Sequence, residues 1–270
     1  MITDQETNKV FFSEYLKAYK CWKSIEAALN EQNIQFELLP NTKDIWVRDF
    51  MPIQIDESSY VSYVYNPDYL RDNKKYITTD VSSCYDFSGI HLLATDTVID
   101  GGNVIKCDDK VIMTDKIFVE NNDKNPDELI EYLERCFRCK VVIIPWDKEE
   151  RCGHSDGMVR YVDPGHVVIN HYCDIDEPLR EKMLLALSHH FPKISELKYG
   201  KNARMNSWAH LNFLRVGNIL FVPQMGIASD TLALEQLKDI FQDCSIIPIE
   251  TNGIVKNGGA LNCVSWNIKE

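Results

Sequence analysis

The sequence predicts an α/β protein built from repeated modules, and three observations carry that expectation. Five short strand-like runs recur at residues 36–40, 91–95, 141–145, 194–198 and 246–250, with starts 55, 50, 53 and 52 residues apart. Most are followed by a polar or glycine-rich cluster and then a second strand-like run, at Met51–Ile55, Val111–Thr114, Val167–Asn170 and Ile219–Val222. Helical spacing of apolar residues fills several of the gaps. A period of about 50 residues with strand and helix in each unit implies modules that are stacked or arranged around an axis. In a closed radial arrangement, equivalent loops converge on one central site.

Taken in order, the first helical stripe is Phe12, Leu16, Tyr19, Trp22 and Leu29. The second is Leu129, Leu133, Cys136 and Phe137, the third Leu179, Met183, Leu187 and Phe191, and the fourth Leu234, Leu237, Ile240 and Phe241. Residues 60–90 carry no such stripe beyond a short start at Pro67–Leu70. No linker, charge block or low-complexity stretch divides the chain, so one domain over residues 1–270 is expected.

Composition narrows the function classes. Apolar residues make up 44% and charged residues 26%, which excludes wholesale disorder, collagen-like sequence and a coiled coil. With 29 Lys and Arg against 41 Asp and Glu the net charge is −12, which argues against a nucleic-acid partner, since phosphate contacts need a basic surplus. No apolar run approaches the ~20 residues that cross a bilayer, so no membrane partner is expected. The start, Met1-Ile-Thr-Asp-Gln-Glu6, lacks the basic and apolar regions of a signal peptide. Nine cysteines, an odd number, read as reduced thiols in a cytoplasm. The oligomeric state is left open.

Five clusters could carry chemistry: Asp44-Ile-Trp-Val-Arg48-Asp49, Asp100-Gly-Gly-Asn103, Gly153-His154-Ser-Asp156-Gly157, His210-Leu-Asn212-Phe213 with Val222-Pro-Gln224 behind it, and Asn257-Gly-Gly-Ala-Leu-Asn262-Cys263. Singly, each has an ordinary explanation as a salt bridge, a turn or a buried small residue. In this order, Trp46-x-Arg48-Asp49, Asp100-Gly-Gly-Asn103, Gly153-His154-x-Asp156, Asn212-Phe213 and Gly258-Gly259-x-x-x-Cys263 resemble the agmatine deiminase and bacterial peptidylarginine deiminase family of guanidine-modifying enzymes. The resemblance implies the pentein fold, a five-bladed α/β propeller with pseudo-fivefold modules. It also implies a hydrolase that deiminates a guanidino group, with no cofactor and no metal.

Residue types agree with that chemistry. A guanidinium is planar, permanently charged and a fork of donors, so carboxylates are its natural partners. A thiolate attacks its carbon more readily than neutral water does. The resemblance makes Cys263 the nucleophile and His154 the general acid and base, with Asp156 and Asp100 as catalytic carboxylates. Asp49, Arg48, Trp46, Asn103, Asn212 and Gly259 are the expected substrate contacts. Two positions depart from the pattern. Asp100 stands where agmatine deiminases usually carry glutamate, and Asn262 where many relatives carry histidine.

The expected partner is a small cationic guanidine, agmatine or a related alkylguanidine slightly ahead of peptidyl or C-terminal arginine. Amidino transfer to an amine and a non-catalytic binding propeller are the other readings. Cys136-x-x-Cys139, without a second ligand pair, is not read as a metal site. His189-His190 reads as a helix end, and Trp22, Trp146, Trp208 and Trp266 as core or pocket wall.

Overall fold

The computed structural model describes residues 1–150 and 152–270. Along the chain, β1 (Lys9–Ser13) leads through α1 (Trp22–Glu31) to β2 (Gln35–Leu39) and the short α2 (Val47–Phe50). Then come β3 (Ile53–Gln54), β4 (Ser59–Val64), β5 (His91–Val98), β6 (Ile105–Lys106) and β7 (Lys110–Thr114). α3 (Lys116–Glu120) and α4 (Pro126–Phe137) precede β8 (Lys140–Ile144), β9 (Val159–Asp163) and β10 (His166–Ile169). α5 (Glu177–Ser188), β11 (Lys193–Glu196), β12 (Leu214–Val216), β13 (Ile219–Gln224), α6 (Ser229–Ile240), β14 (Ser245–Glu250), α7 (Asn252–Val255) and β15 (Ser265–Ile268) complete the order.

The strands form five three-stranded sheets of one design: β15-β1-β2, β3-β4-β5, β6-β7-β8, β9-β10-β11 and β12-β13-β14. In each, the central strand pairs antiparallel with the first and parallel with the third. A parallel pair needs a crossover connection, which α1, α4, α5 and α6 supply in four modules. The second module instead uses residues 65–90, with single 3-10 turns at Asp68–Leu70, Lys74–Tyr76 and Val81–Ser83.

Period-two alternation on the central strands closes the ring. Val10 and Phe12 of β1 pack against the fifth module, while Phe11 between them packs against the second. Val111 and Met113 of β7 face the second module and Ile112 the fourth. Val167 and Ile169 of β10 face the third, Val168 the fifth. Five apolar clusters therefore occupy the five seams, and both faces of every sheet are covered. This is the pentein propeller the sequence led us to expect.

Two expectations need correction. The stripe from Phe12 to Leu29 is not one helix: Phe12 lies in β1, Leu16 in a 3-10 turn, and α1 begins only at Trp22. A strand buried on both faces followed by a tight turn mimics helical spacing. The run Met51–Ile55 pairs only at Ile53 and Gln54, and the central strand of that module is β4, further along. By contrast, the other three stripes fall on α4, α5 and α6, except that Phe191 and Phe241 lie just past the ends of α5 and α6. α4 is set by Asn125, whose side chain accepts from the Asp127 and Glu128 amides, and by Pro126 in the first turn.

Each first strand places a buried polar residue at the equivalent position: Gln54, Lys106, Arg160, Arg215 and Asn267. The N-terminal segment supplies a counter-charge for two of them, Lys106 and Arg160. Asp4 lies 3.0 Å from Lys106 and 3.1 Å from Arg160, and Asn267 donates to it at 3.2 Å. Burial raises the Asp4 pKa, but Lys106, Arg160 and Arg48 outweigh it and hold the carboxyl far below its usual range. Asp4→Ala strands two buried cations, and its expected cost is about 3 kcal/mol. Because the folded pKa is depressed, that contribution is present above an unfolded value of about 3.9 and lost as pH falls further. The stability gap between wild type and Asp4→Ala, from urea midpoints, should thus narrow from pH 7 to pH 3. An unchanged gap would contradict the ion-pair account.

Candidate functional site

The five polar clusters lie on connections from the third strand of one module to the first strand of the next, apart from Val222-Pro-Gln224, which belongs to β13. The propeller thereby gathers them at one end of its axis. Between them is a cavity of ≈ 180 Å³ lined by residues that include Trp46, Asp49, Tyr69, Glu150, His154 and Cys263. A second void of ≈ 30 Å³, bounded by Asp156, Trp208 and again Cys263, adjoins it.

Cys263 is buried, with Sγ 3.5 Å from Asp156 Oδ2. Its backbone is held from two modules. The Cys263 amide donates to Asn212 Oδ1 at 3.3 Å, as does the Ala260 amide at 3.2 Å, and the Cys263 carbonyl accepts from the Arg48 amide at 3.1 Å. The side chain of Asn262 fixes the carboxylate beside the sulfur, its Nδ2 donating to Asp156 Oδ2 at 2.7 Å. Burial pushes the Cys263 thiol well above its ordinary pKa, and Asp156 and Asp49 add to the rise.

His154 is buried, with Nε2 2.9 Å from Asp100 Oδ2 and Nδ1 3.7 Å from Asp49 Oδ1. Burial opposes its charge, but Asp49 and the hydrogen-bonded Asp100 prevail, so the ring keeps its proton well above the ordinary value. Asp49 is shifted upward as well. Burial raises its pKa to about 8, His154 lowers it in part, and Asp100 and Asp156 raise it again. Three buried carboxyl groups thus share one imidazolium, and among the described residues Oδ1 of both Asp49 and Asp100 is shut off from solvent without a hydrogen-bond partner. Among the described residues, the cluster is short of a cation with donors to give.

Glycines let these groups meet. A Cβ on Gly102 would stand 2.6 Å from His154 Nδ1 and 2.8 Å from Asp49 Oδ1. One on Gly259 would stand 2.2 Å from the Trp46 ring. The neighbouring Gly258, at φ +98°, takes a backbone shape that L side chains rarely adopt.

The structure brings Cys263, His154, Asp49 and Trp46 to the main cavity and Asp156 to the adjoining void. Others among the expected site residues lie behind it. Asp100 meets His154 but not the cavity lining, and orients the ring. Asn212 seats the Cys263 loop, and Asn103 Oδ1 accepts from the Thr114 amide. Arg48 does not contact the cavity: its guanidinium reaches Asn262 O at 3.4 Å and Asn267 Oδ1 at 2.6 Å on the axial side. Consecutive helical residues point ~100° apart, so in α2 Asp49 faces the cavity and Arg48 faces away. His210 is tied to Asp230 and Tyr199.

Sequence reasoning missed the wall. Tyr65, Tyr69 and Leu70 come from the helix-poor crossover of the second module, and Glu150 from the connection before His154. Tyr69 meets the His154 ring edge-on, with centroids 6.0 Å apart. Only Pro67–Leu70, the start of a turn, signalled that segment.

Comparison with known proteins places this geometry. C. jejuni agmatine deiminase with substrate bound superposes with a TM-score of 0.77 at 16% identity, over 100% of this chain and 96% of that one. Agmatine deiminase of Enterococcus faecalis gives 0.74 at 17%, over 100% and 95%. A Mycoplasma capricolum protein, whose name of agmatine deiminase is provisional, is 25% identical over 67% of this chain, and the chain spans 60% of that relative's length. Those likenesses establish the shared fold. The model of the Porphyromonas-type peptidyl-arginine deiminases matches from residue 2 to residue 268, and the chain belongs to that family.

Proposed function

We propose that the protein is a guanidine deiminase that converts a small alkylguanidine, agmatine foremost, to a ureido product and ammonia. The observation that carries this reading is the cation-deficient cluster: Asp49, Asp100 and Asp156 buried around His154 beside the Cys263 thiol. A guanidinium supplies the missing charge and hydrogen-bond donors. Its charge also offsets the anions that keep Cys263 protonated, so the thiolate forms when substrate is present.

The reaction then follows from position. Cys263 Sγ adds to the guanidinium carbon, and His154 passes its proton to the departing nitrogen, which leaves as ammonia. The remaining amidino thioether is attacked by water, from which the now neutral His154 takes a proton. Collapse of that adduct expels the Cys263 thiolate and releases the ureido product. Asp100 keeps the imidazole oriented through both transfers, and Asp156 stays beside the sulfur through Asn262.

Substrate choice follows from charge and size. Asp44 and Glu150 add two carboxylates to the lining, which among the described residues contains no Lys or Arg. A dication such as agmatine suits that wall, whereas the carboxylate of free arginine meets no positive partner among the described lining residues. A volume of ≈ 180 Å³ lies below the ~300–1,000 Å³ of drug-sized ligand sites and favours a small molecule over a polypeptide. The test is ammonia release from agmatine, arginine and an arginine-terminated peptide, compared by kcat/KM. Agmatine should lead, and a clear preference for the peptide would overturn the assignment.

A further inference from the structure

We infer that Lys116 and Asp68 form a clasp that sets which guanidines enter the cavity, a specificity-determining pair outside the catalytic machinery. This deepens the reading above and rests on it. Lys116, at the start of α3, is 2% exposed, and its Nζ bonds both carboxylate oxygens of Asp68 at 2.8 Å. Its ammonium also lies 4.4 Å from the centre of the Trp146 ring. Its Cγ is 3.1 Å from where a Cβ on Gly153 would stand.

Those contacts join two walls. Asp68 opens the single 3-10 turn whose next residues, Tyr69 and Leu70, line the cavity. Trp146 and Gly153 flank the connection that carries Glu150, Cys152 and His154, and Trp146 Nε1 donates to the Glu150 carbonyl at 3.1 Å. One buried cation, from a third segment, therefore ties both sides of the opening.

The second module is where such a tie matters. Its crossover has no α-helix packed along the sheet, only short 3-10 turns. The Tyr69 turn is thus placed by side-chain bonds more than by regular structure. A buried ammonium deprived of its carboxylate is costly, so the pair resists separation. With the pair intact, Tyr69 and Leu70 stay against the cavity and exclude guanidines with bulky tails.

Lys116→Met keeps the apolar stem and removes the tie, and Asp68→Asn removes it from the other side. Both should raise KM for agmatine with little change in kcat. Both should also raise the kcat/KM of benzoyl-arginine amide relative to agmatine by about tenfold. Lys116→Arg, which retains the charge, should stay closer to wild type. A second readout needs no turnover: alkylation of Cys263 by iodoacetamide and by N-benzylmaleimide, followed by peptide mass mapping with Cys244 as reference. The bulky reagent should gain on the small one in both variants. An unchanged ratio in folded Lys116→Met and Asp68→Asn overturns the clasp. If wild type deiminates no guanidine, the functional reading fails, and the alkylation ratio still decides the clasp.

Discussion

Cys263→Ser should abolish ammonia release from agmatine, with kcat falling on the order of 10⁴-fold or more. The change replaces one atom and leaves the backbone bonds from Asn212 and Arg48 in place, so the melting temperature should barely move. A serine hydroxyl faces the same two carboxylates, but the charge of a bound guanidinium falls far short of ionising an alcohol. Agmatine should therefore still bind, as calorimetry would show, and simply not react. Activity within tenfold of wild type would rule out a covalent cysteine step. A variant that neither binds nor reacts would point instead to a structural role for the sulfur.

His154→Gln should lower kcat by about 10³-fold, within the span found for general acid–base groups. The substitution removes the proton carrier and also changes the charge of the cluster, and that gives a second signature. His154 lowers the proton affinity of Asp49, whose pKa is about 8 with the histidine present. In wild type, kcat/KM should climb as pH rises toward that value, because the guanidinium binds the carboxylate and not the acid. Without the imidazolium, Asp49 holds its proton more tightly, so the residual activity should show its acid limb at higher pH. A limb that stays in place, or moves down, would remove Asp49 from the titration.

Much of the ring was legible because its third strands are apolar runs and its later helices keep clean stripes. The first strands were not. β3 and β6 are two residues long, and all five place a polar residue at the axis, so Gln54, Lys106, Arg160, Arg215 and Asn267 interrupt the pattern that marks a strand. The site was legible where a motif fixes both residue type and backbone shape, as at Gly153-His154-x-Asp156 and Gly258-Gly259-x-x-x-Cys263. It failed where neighbours diverge. A matched Arg48-Asp49 does not say which side chain faces a ligand, and four-residue α2 turns only Asp49 toward the cavity. The Lys116–Asp68 pair joins residues 48 apart in modules whose contact no local pattern encodes.

The strand that shuts the ring also delivers the thiol. β15 pairs with β1 from Lys9 to Phe12, and Cys263 stands two residues before it. Trp266 on the same strand packs among Phe11, Tyr60, Tyr85 and Phe87. The proposed nucleophile is thus positioned by the joint between β1 and β15, so a molecule whose seam has frayed should lose its activity while four blades still stand. During refolding, the return of turnover should time the closing of that joint, because Cys263 reaches its place beside Asp156 only when the circle is whole.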